Sequence, residues 1–188
     1  MSAFKNGVKA TVILVSIMLC GLFIMFTMTR QTPTIASVQP ELHTPEFQRA
    51  FFLAAEVYGK AGCGDQGLAE MTARHSIRTG LPPQLIAAQA STESTCNPLA
   101  VSNRGAVGLM QIVPKTFGKQ YDFSKINLFN PEDNMRVGTD ILTQLVKDHG
   151  IKGGLYRYYG TGADPIGLGG SGYADKVLQL SGKTEVSR

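Results

Sequence analysis

Pro82-Pro83-Gln84-Leu85-Ile86-Ala87-Ala88-Gln89-Ala90-Ser91-Thr92-Glu93 is the stretch on which the fold turns. Paired prolines suit the first turn of a helix, where backbone N–H groups have no intrahelical partner. The following Leu, Ile and Ala residues leave no wide polar face, so the segment is predicted to be a central, buried helix whose small side chains allow close packing. It runs into a polar loop, Ser94-Thr95-Cys96-Asn97-Pro98. Glu93 stands at that junction. Partial loss of hydration there raises a carboxyl pKa and lets it hold a proton near neutrality, as a general acid must. Position alone favours a solvated helix-end glutamate.

Helix signals extend outward on both sides. Thr44-Pro45-Glu46 is a cap, a first-turn proline and an acid, and Phe47, Ala50, Phe51, Ala54 and Val57 follow at helical spacing until Gly59 and Gly62. Asp65 opens a second helix carrying Leu68, Met71 and Ile77, stopped by Gly80. Beyond a loop or short hairpin over Asn97–Gln111, Pro114 starts a short helix through Phe117. Asn130-Pro131-Glu132-Asp133 repeats the cap signature before a stripe of Met135, Ile141, Leu142, Leu145 and Val146, ended by Gly150. Leu155–Tyr159 and Tyr173–Leu180 are also predicted helical. Alternating strand patterns are nearly absent.

The 188 residues hold 43% hydrophobic and 17% charged side chains, enough apolar material for a packed core. The net charge of +4 is concentrated at the amino end. Lys5, Lys9 and Arg30 carry +3 before residue 37, leaving 15 Lys+Arg against 14 Asp+Glu in the remainder. A nucleic-acid partner needs a basic surface that tracks phosphates, and the scattered cations here supply none. Three His and three Cys without paired spacing exclude a local zinc site. No metal and no cofactor are expected.

Ala10–Thr29 is an uncharged, largely apolar run flanked by Lys9 and Arg30. Its length matches a hydrocarbon core, and its basic flank places the amino terminus in the cytoplasm. The expected organisation is a cytoplasmic tail (1–9), a transmembrane anchor or uncleaved signal (10–29), a linker (30–44), a folded domain (45–182) and a tail (183–188). The domain is then exported. In that compartment Cys63 and Cys96 are expected to pair, since Cys20 lies within the apolar run.

A longer pattern decides between the two readings of Glu93. Glu93-Ser94, Asn97-Pro98, Ala100-Val101-Ser102 and Gly105-Ala106-Val107-Gly108-Leu109-Met110-Gln111 resemble, in order and spacing, the lytic transglycosylases of the Slt type, a lysozyme-like family. The wider likeness covers about 81–180, including Asn130-Pro131 and Tyr173…Lys176-Val177-Leu178. The resemblance implies a mainly α fold of the α+β lysozyme-like kind, a single domain preceded by the transmembrane helix, with one cleft for peptidoglycan glycan strands. Glu93 matches the catalytic acid/base and Ser94 the serine beside it. Met110 and Gln111 match residues that line the cleft and contact the sugar. Read without the resemblance, Met110 is core and Gln111 a solvated amide. Where family members carry Ala-Tyr-Asn-Ala-Gly, this chain has Arg157-Tyr158-Tyr159-Gly160-Thr161-Gly162. Tyr158 matches the tyrosine that hydrogen-bonds the glutamate, and a one-residue slip leaves Tyr159 open. The glycine-rich Gly160–Gly172 segment follows no strand, which excludes a dinucleotide fingerprint, and a loop at the cleft edge is expected there.

Glycosidases usually place two carboxyl groups across the scissile bond. Asp122, Glu132, Asp133 and Asp164 each read more simply as caps or solvated loop acids, so a one-carboxyl mechanism fits better. The expected activity is cleavage of the MurNAc–GlcNAc bond with formation of 1,6-anhydroMurNAc, for local opening of the cell wall. A muramidase using water and an inert glycan-binding assembly protein stay open as alternatives. Expected partners are glycan strands, the membrane through the amino-terminal helix, and a secretion, conjugation or phage assembly. The expected location is the periplasmic side of a membrane, or a virion membrane for a phage-encoded chain.

Overall fold

The computed structural model describes residues 44–161 and 169–182. Among the described residues six helices appear in order: α1 Pro45–Lys60, α2 Gln66–Thr79, α3 Pro83–Ser94, α4 Pro114–Phe117, α5 Pro131–Thr161 and α6 Gly169–Leu180. Local chemistry sets their ends. The Thr44 hydroxyl accepts from Phe47 N–H at the start of α1, and Asp65 accepts from Gly67 N–H at the start of α2. Gly80 closes α2 in the left-handed region, φ 74°. Asn130 Oδ1 accepts from Asp133 N–H ahead of α5. α5 is broken at Gly150, φ 71° and ψ 173°, where the sequence predicts a helix end.

α3 is the centre. Every residue from Leu85 to Thr92 is buried, because α1 and α2 pack on it from one side and α6 from another. A helix that is apolar all round has to be covered on every side. Leu85, Ile86, Ala87, Ala88 and Ala90 join Val57, Tyr58, Leu142, Leu155, Tyr173 and Val177 in one core. Arg78 of α2 donates to Asp140 at 2.6 Å and to Thr139 at 2.9 Å, tying α2 to α5. Cys63 and Cys96 form the expected disulfide, which fastens the α1–α2 turn to the loop that follows α3.

The segment between α3 and α4 corrects the expected α+β class. Among the described residues there is no β-strand, only single bridges pairing Val101 with Val107 and Val107 with Ile112. Gly105 and Gly108 turn the chain through positive φ values of 80° and 77°, so no ladder grows past one residue pair. The fold is all-α with a wound loop. Its hub is Asn134 of α5, fully buried. Asn134 Oδ1 accepts from Met110 N–H at 2.8 Å, and Nδ2 donates to the carbonyls of Val107 at 2.8 Å and Leu128 at 2.9 Å. A Cβ on Gly108 would overlap that amide and lie 2.5 Å from Leu128 O. On Gly138 it would lie 2.5 Å from Met110 Cβ.

Membrane topology is corrected as well. No helix among the described residues is long and apolar enough to cross a membrane: α3 has 12 residues, and the longer α5 is studded with charges from Glu132 to Arg157 and broken at Gly150. The anchor expected over 10–29 lies outside the described residues. The single-pass topology, the membrane partnership and the periplasmic-side or virion-membrane location built on it are withdrawn. The loop expected over Gly160–Gly172 is also revised, since α6 begins at Gly169 and residues 162–168 lie outside the described set.

Two stability outcomes follow. Asn134→Ala leaves Met110 N–H and the Leu128 carbonyl unpartnered, while Val107 O keeps its bond from Ile112 N–H; at ~1–3 kcal/mol for each unpartnered group, urea denaturation should give a loss of at least ~2 kcal/mol, and a loss under ~1 kcal/mol would refute the hub. Opening Cys63–Cys96 by a double Cys→Ala change should lower stability by roughly 2–4 kcal/mol, read as a lower Tm that reductant does not lower further.

Candidate active site

Glu93 occupies the last turn of α3 and is only partly exposed. Protein crowds its carboxyl closely enough that lost hydration pushes its pKa from 4.5 up to about 8, partly offset by a hydrogen bond from Tyr173. That bond, Tyr173 Oη to Glu93 Oε1 at 2.6 Å, joins residues 80 apart in sequence. Tyr173 is fully buried in α6. Burial, reinforced by the nearby Glu93 charge, drives its own pKa well above 10, so its hydroxyl stays a donor across the working pH range. Below pH 8 the pair is a neutral acid held by a neutral phenol.

Backbone strain gathers around this carboxyl. Thr95 closes α3 with φ 52°, and Cys96 continues at φ 62°. Two successive non-glycine residues in the left-handed region cost about 1–3 kcal/mol each and persist only where neighbours hold them. Here the holders are Thr95 N–H on Ser91 O at 3.0 Å and the disulfide at Cys96.

The remaining sequence-derived residues fall in different places. Ser94 is half-buried, and its hydroxyl donates back to Ala90 O at 3.1 Å. Met110 is fully buried, packed against Gly138, so its side chain belongs to the core. Gln111 has φ 47°, and its Nε2 donates to Ala100 O at 3.2 Å and Gly108 O at 3.0 Å, which clasps the wound loop shut. Tyr158 donates to Met110 O at 2.8 Å and not to Glu93. Tyr159 packs its ring on Tyr173 with centroids 5.2 Å apart. The glutamate's tyrosine is therefore on α6. A signal for it exists in the sequence: Tyr173, Ala174, Val177 and Leu178 form a buried stripe, and a buried phenol needs a partner for its hydroxyl.

No second carboxyl among the described residues perturbs Glu93, whose shift comes from burial and Tyr173 alone. Asp122 is exposed and bonded to Ser124 and Lys125. Glu132 pairs with Arg74 and His75, and Asp133 with Arg136. Asp164 lies outside the described residues.

Comparison with known proteins gives this arrangement its family. Residues 70–165 match the family model of the Transglycosylase SLT domain. The membrane-bound lytic murein transglycosylase C of Edwardsiella ictaluri (strain 93-146) is 39% identical over 100 residues, covering 48% of this chain and 28% of that protein. Its namesake in Yersinia pestis (strain Pestoides F) is 38% identical over 96 residues, covering 46% and 27%. The chain thus spans little more than a quarter of the length of these relatives. Among solved structures, the 70 kDa soluble lytic transglycosylase of Escherichia coli superposes with a TM-score of 0.49 at 24% identity, over 72% of this chain and 29% of that one. With its match spanning Glu93 and the wound loop around Asn134, the chain belongs to the transglycosylase SLT family.

Proposed function

We propose that this domain is a peptidoglycan lytic transglycosylase in which Glu93 is the single acid/base. The observation that carries the reading is a glutamic acid kept protonated to about pH 8 within the matched segment. Tyr173 donates to Oε1, which leaves Oε2 to hold the acidic proton. That proton goes to the glycosidic oxygen between N-acetylmuramic acid and N-acetylglucosamine as the C1–O bond breaks, and the N-acetylglucosamine strand leaves as an alcohol. The Glu93 carboxylate, stabilised in this interval by the Tyr173 hydroxyl, then takes the proton from the muramyl 6-hydroxyl. O6 attacks C1 and closes the 1,6-anhydro ring. Glu93 ends protonated, no water is consumed, and the attacking hydroxyl is already tethered to its target, an intramolecular advantage. Ser94, Gln111 and Tyr158 serve as substrate-side and loop-shaping residues, and Met110 supports the loop from the core.

Glu93→Gln keeps the shape but removes the titrating proton, so the release of 1,6-anhydromuramyl ends from sacculi should fall at least ~10²-fold. Reducing muramic acid ends carrying ¹⁸O from labelled water would make the enzyme a hydrolase and end this reading. Activity should decline above pH 8, as the acid loses its proton. Stability gives an independent check. The folded-state pKa lies above the unfolded one, so the native state binds the extra proton and its stability falls as pH rises from about 4.5 to about 8. The Tm advantage of Glu93→Gln over the parent should grow across that window and level off above it. Tyr173→Phe removes the donor to the carboxylate. It should lower kcat by ~10-fold and move the basic limb of the pH profile upward, because the charged form of Glu93 is the one it stabilises.

A further inference from the structure

The Cys63–Cys96 disulfide ties the α1–α2 turn to the chain just beyond Glu93. Both cysteines are only half-buried. They line an open groove of about 520 Å³ together with Gly62, Gly64, Asp65 and Thr95, and the two glycines carry no side chain to screen the sulfurs. On the protein side, the buried Ser91 hydroxyl lies 3.4 Å from Cys96 Sγ and 3.9 Å from Cys63 Sγ. It donates its own proton to Ala87 O at 2.8 Å, so its lone pairs can accept an S–H from either cysteine. The backbone adds a third observation. Thr95 stands at φ 52° and Cys96 at φ 62°, a region that residues other than glycine leave unless something holds them. Thr95 is held by its hydrogen bond to Ser91 O, and Cys96 by the covalent link.

We propose that Cys63–Cys96 is a redox modification site: a dithiol reductant opens it from the groove, and the open form lets Cys96 leave the left-handed region, which unseats the Glu93 carboxyl at the end of α3. Exposed disulfides are the ones that exchange readily with thiols, and the dithiol alone balances the exchange. One thiolate of the reductant attacks a cysteine sulfur, and the S–S bond breaks to release the other cysteine as a thiolate that takes up a proton. The second thiol of the reductant then displaces the mixed disulfide. Two electrons and two protons pass to the protein, Cys63 and Cys96 end as thiols, and the reductant ends as a disulfide. The Ser91 oxygen receives an S–H. Cys96 relaxes to negative φ, the turn closed by Asn97 N–H on Ser94 O loosens, and water reaches Glu93. A hydrated carboxyl ionises at lower pH, so the reduced domain lacks its proton donor where the oxidised one has it. Reoxidation restores the acid.

The catalytic consequence rests on the role given to Glu93 above, so the test reads the sulfurs and the carboxyl before it reads turnover. The full chain is treated with dithiothreitol in native buffer, alkylated and weighed. Two thiols besides Cys20 should appear while the far-UV circular dichroism keeps its helical signal. Reduction that occurs only as that signal collapses overturns the proposal. The chain is also labelled with ¹³C-glutamate, and the Glu93 carboxyl signal is assigned by its loss in Glu93→Gln. It should titrate with a midpoint of about 8 in the disulfide form and at least ~1 pH unit lower in the reduced form, a tenfold change in proton affinity. The same midpoint in both forms overturns the proposal. Two disulfide-free variants then isolate the backbone. Glycine takes a positive φ without steric cost, so Cys63→Ala/Cys96→Gly should recover at least ~0.5 unit of the midpoint that Cys63→Ala/Cys96→Ala loses. Equal midpoints in the two overturn the link from Cys96 to the acid. On sacculi at pH 8, release of 1,6-anhydromuramyl ends should fall about 5-fold on reduction, as the protonated fraction of Glu93 drops from about a half to about a tenth, and should return on reoxidation. Release that is indifferent to reduction overturns the proposal. Absence of release from either form would strike at the function of Glu93 and leave the thiol and carboxyl readouts to decide the redox site.

Discussion

The hydrogen bond between Tyr173 and Glu93 closes the fold as much as it sets up the site. α3 has no solvent face, so its last residues emerge among the packed ends of other helices, and a carboxylate there would be stranded without a partner. Tyr173 reaches it only because α6 returns to α3 after the whole length of α5. That return depends on the break at Gly150, which redirects the chain before Leu155 and Tyr158 join the core. Helix order, helix break and acid are one constraint. A buried acid that stays neutral avoids most of the cost of an uncompensated charge, and remaining neutral is what a proton donor must do.

The second support is the wound loop between α3 and α4. A segment of this length with no ladder has to find partners for its backbone elsewhere. Asn134 supplies three of them from a single buried side chain, and Gln111 supplies two more from within the loop. The glycines of the motif are explained by close approach: Gly108 leaves room for the Asn134 amide, and Gly138 leaves room for Met110. The motif residues are therefore mostly scaffold. They fix where the loop stands relative to the end of α3, and few of their side chains are free to touch a ligand.

Much of this was legible in the sequence. The proline and cap signatures at Thr44, Asp65, Pro83 and Asn130 set the helix starts, and the run from Leu85 to Ala90 marked the central helix, because local backbone chemistry and burial both act at short range. Glu93 was singled out by its motif, where its junction alone favoured a solvated glutamate, and the Cys63–Cys96 pair by elimination. The misses at Tyr173 and Asn134 are long-range. Tyr158 and Tyr173 are both buried aromatic residues on helices, and only the packing of α6 on α3 decides which hydroxyl meets the carboxyl. Asn134 reads as a polar residue in the first turn of α5, although its amide makes three buried hydrogen bonds to the wound loop and its flank. A short hairpin was a fair reading of 97–111, but successive glycine turns consume the pairing before a strand can form.

Three non-glycine residues among those described adopt a left-handed backbone, Thr95, Cys96 and Gln111, and all three flank the acid or end the motif that shapes its surroundings. Each is held by a different bond: a helix-terminal hydrogen bond at Thr95, a covalent link at Cys96, and a side-chain clasp at Gln111. Strain of this kind survives only when the structure around it is over-determined. Two of the three follow Glu93 at the end of α3, tied there to the α1–α2 turn by the disulfide, which is what a site needs if it must hold a carboxyl at fixed orientation. The regular helices supply the stability that makes this tolerable. The disulfide, placed three residues after Glu93, applies that stability where the backbone is least able to hold itself.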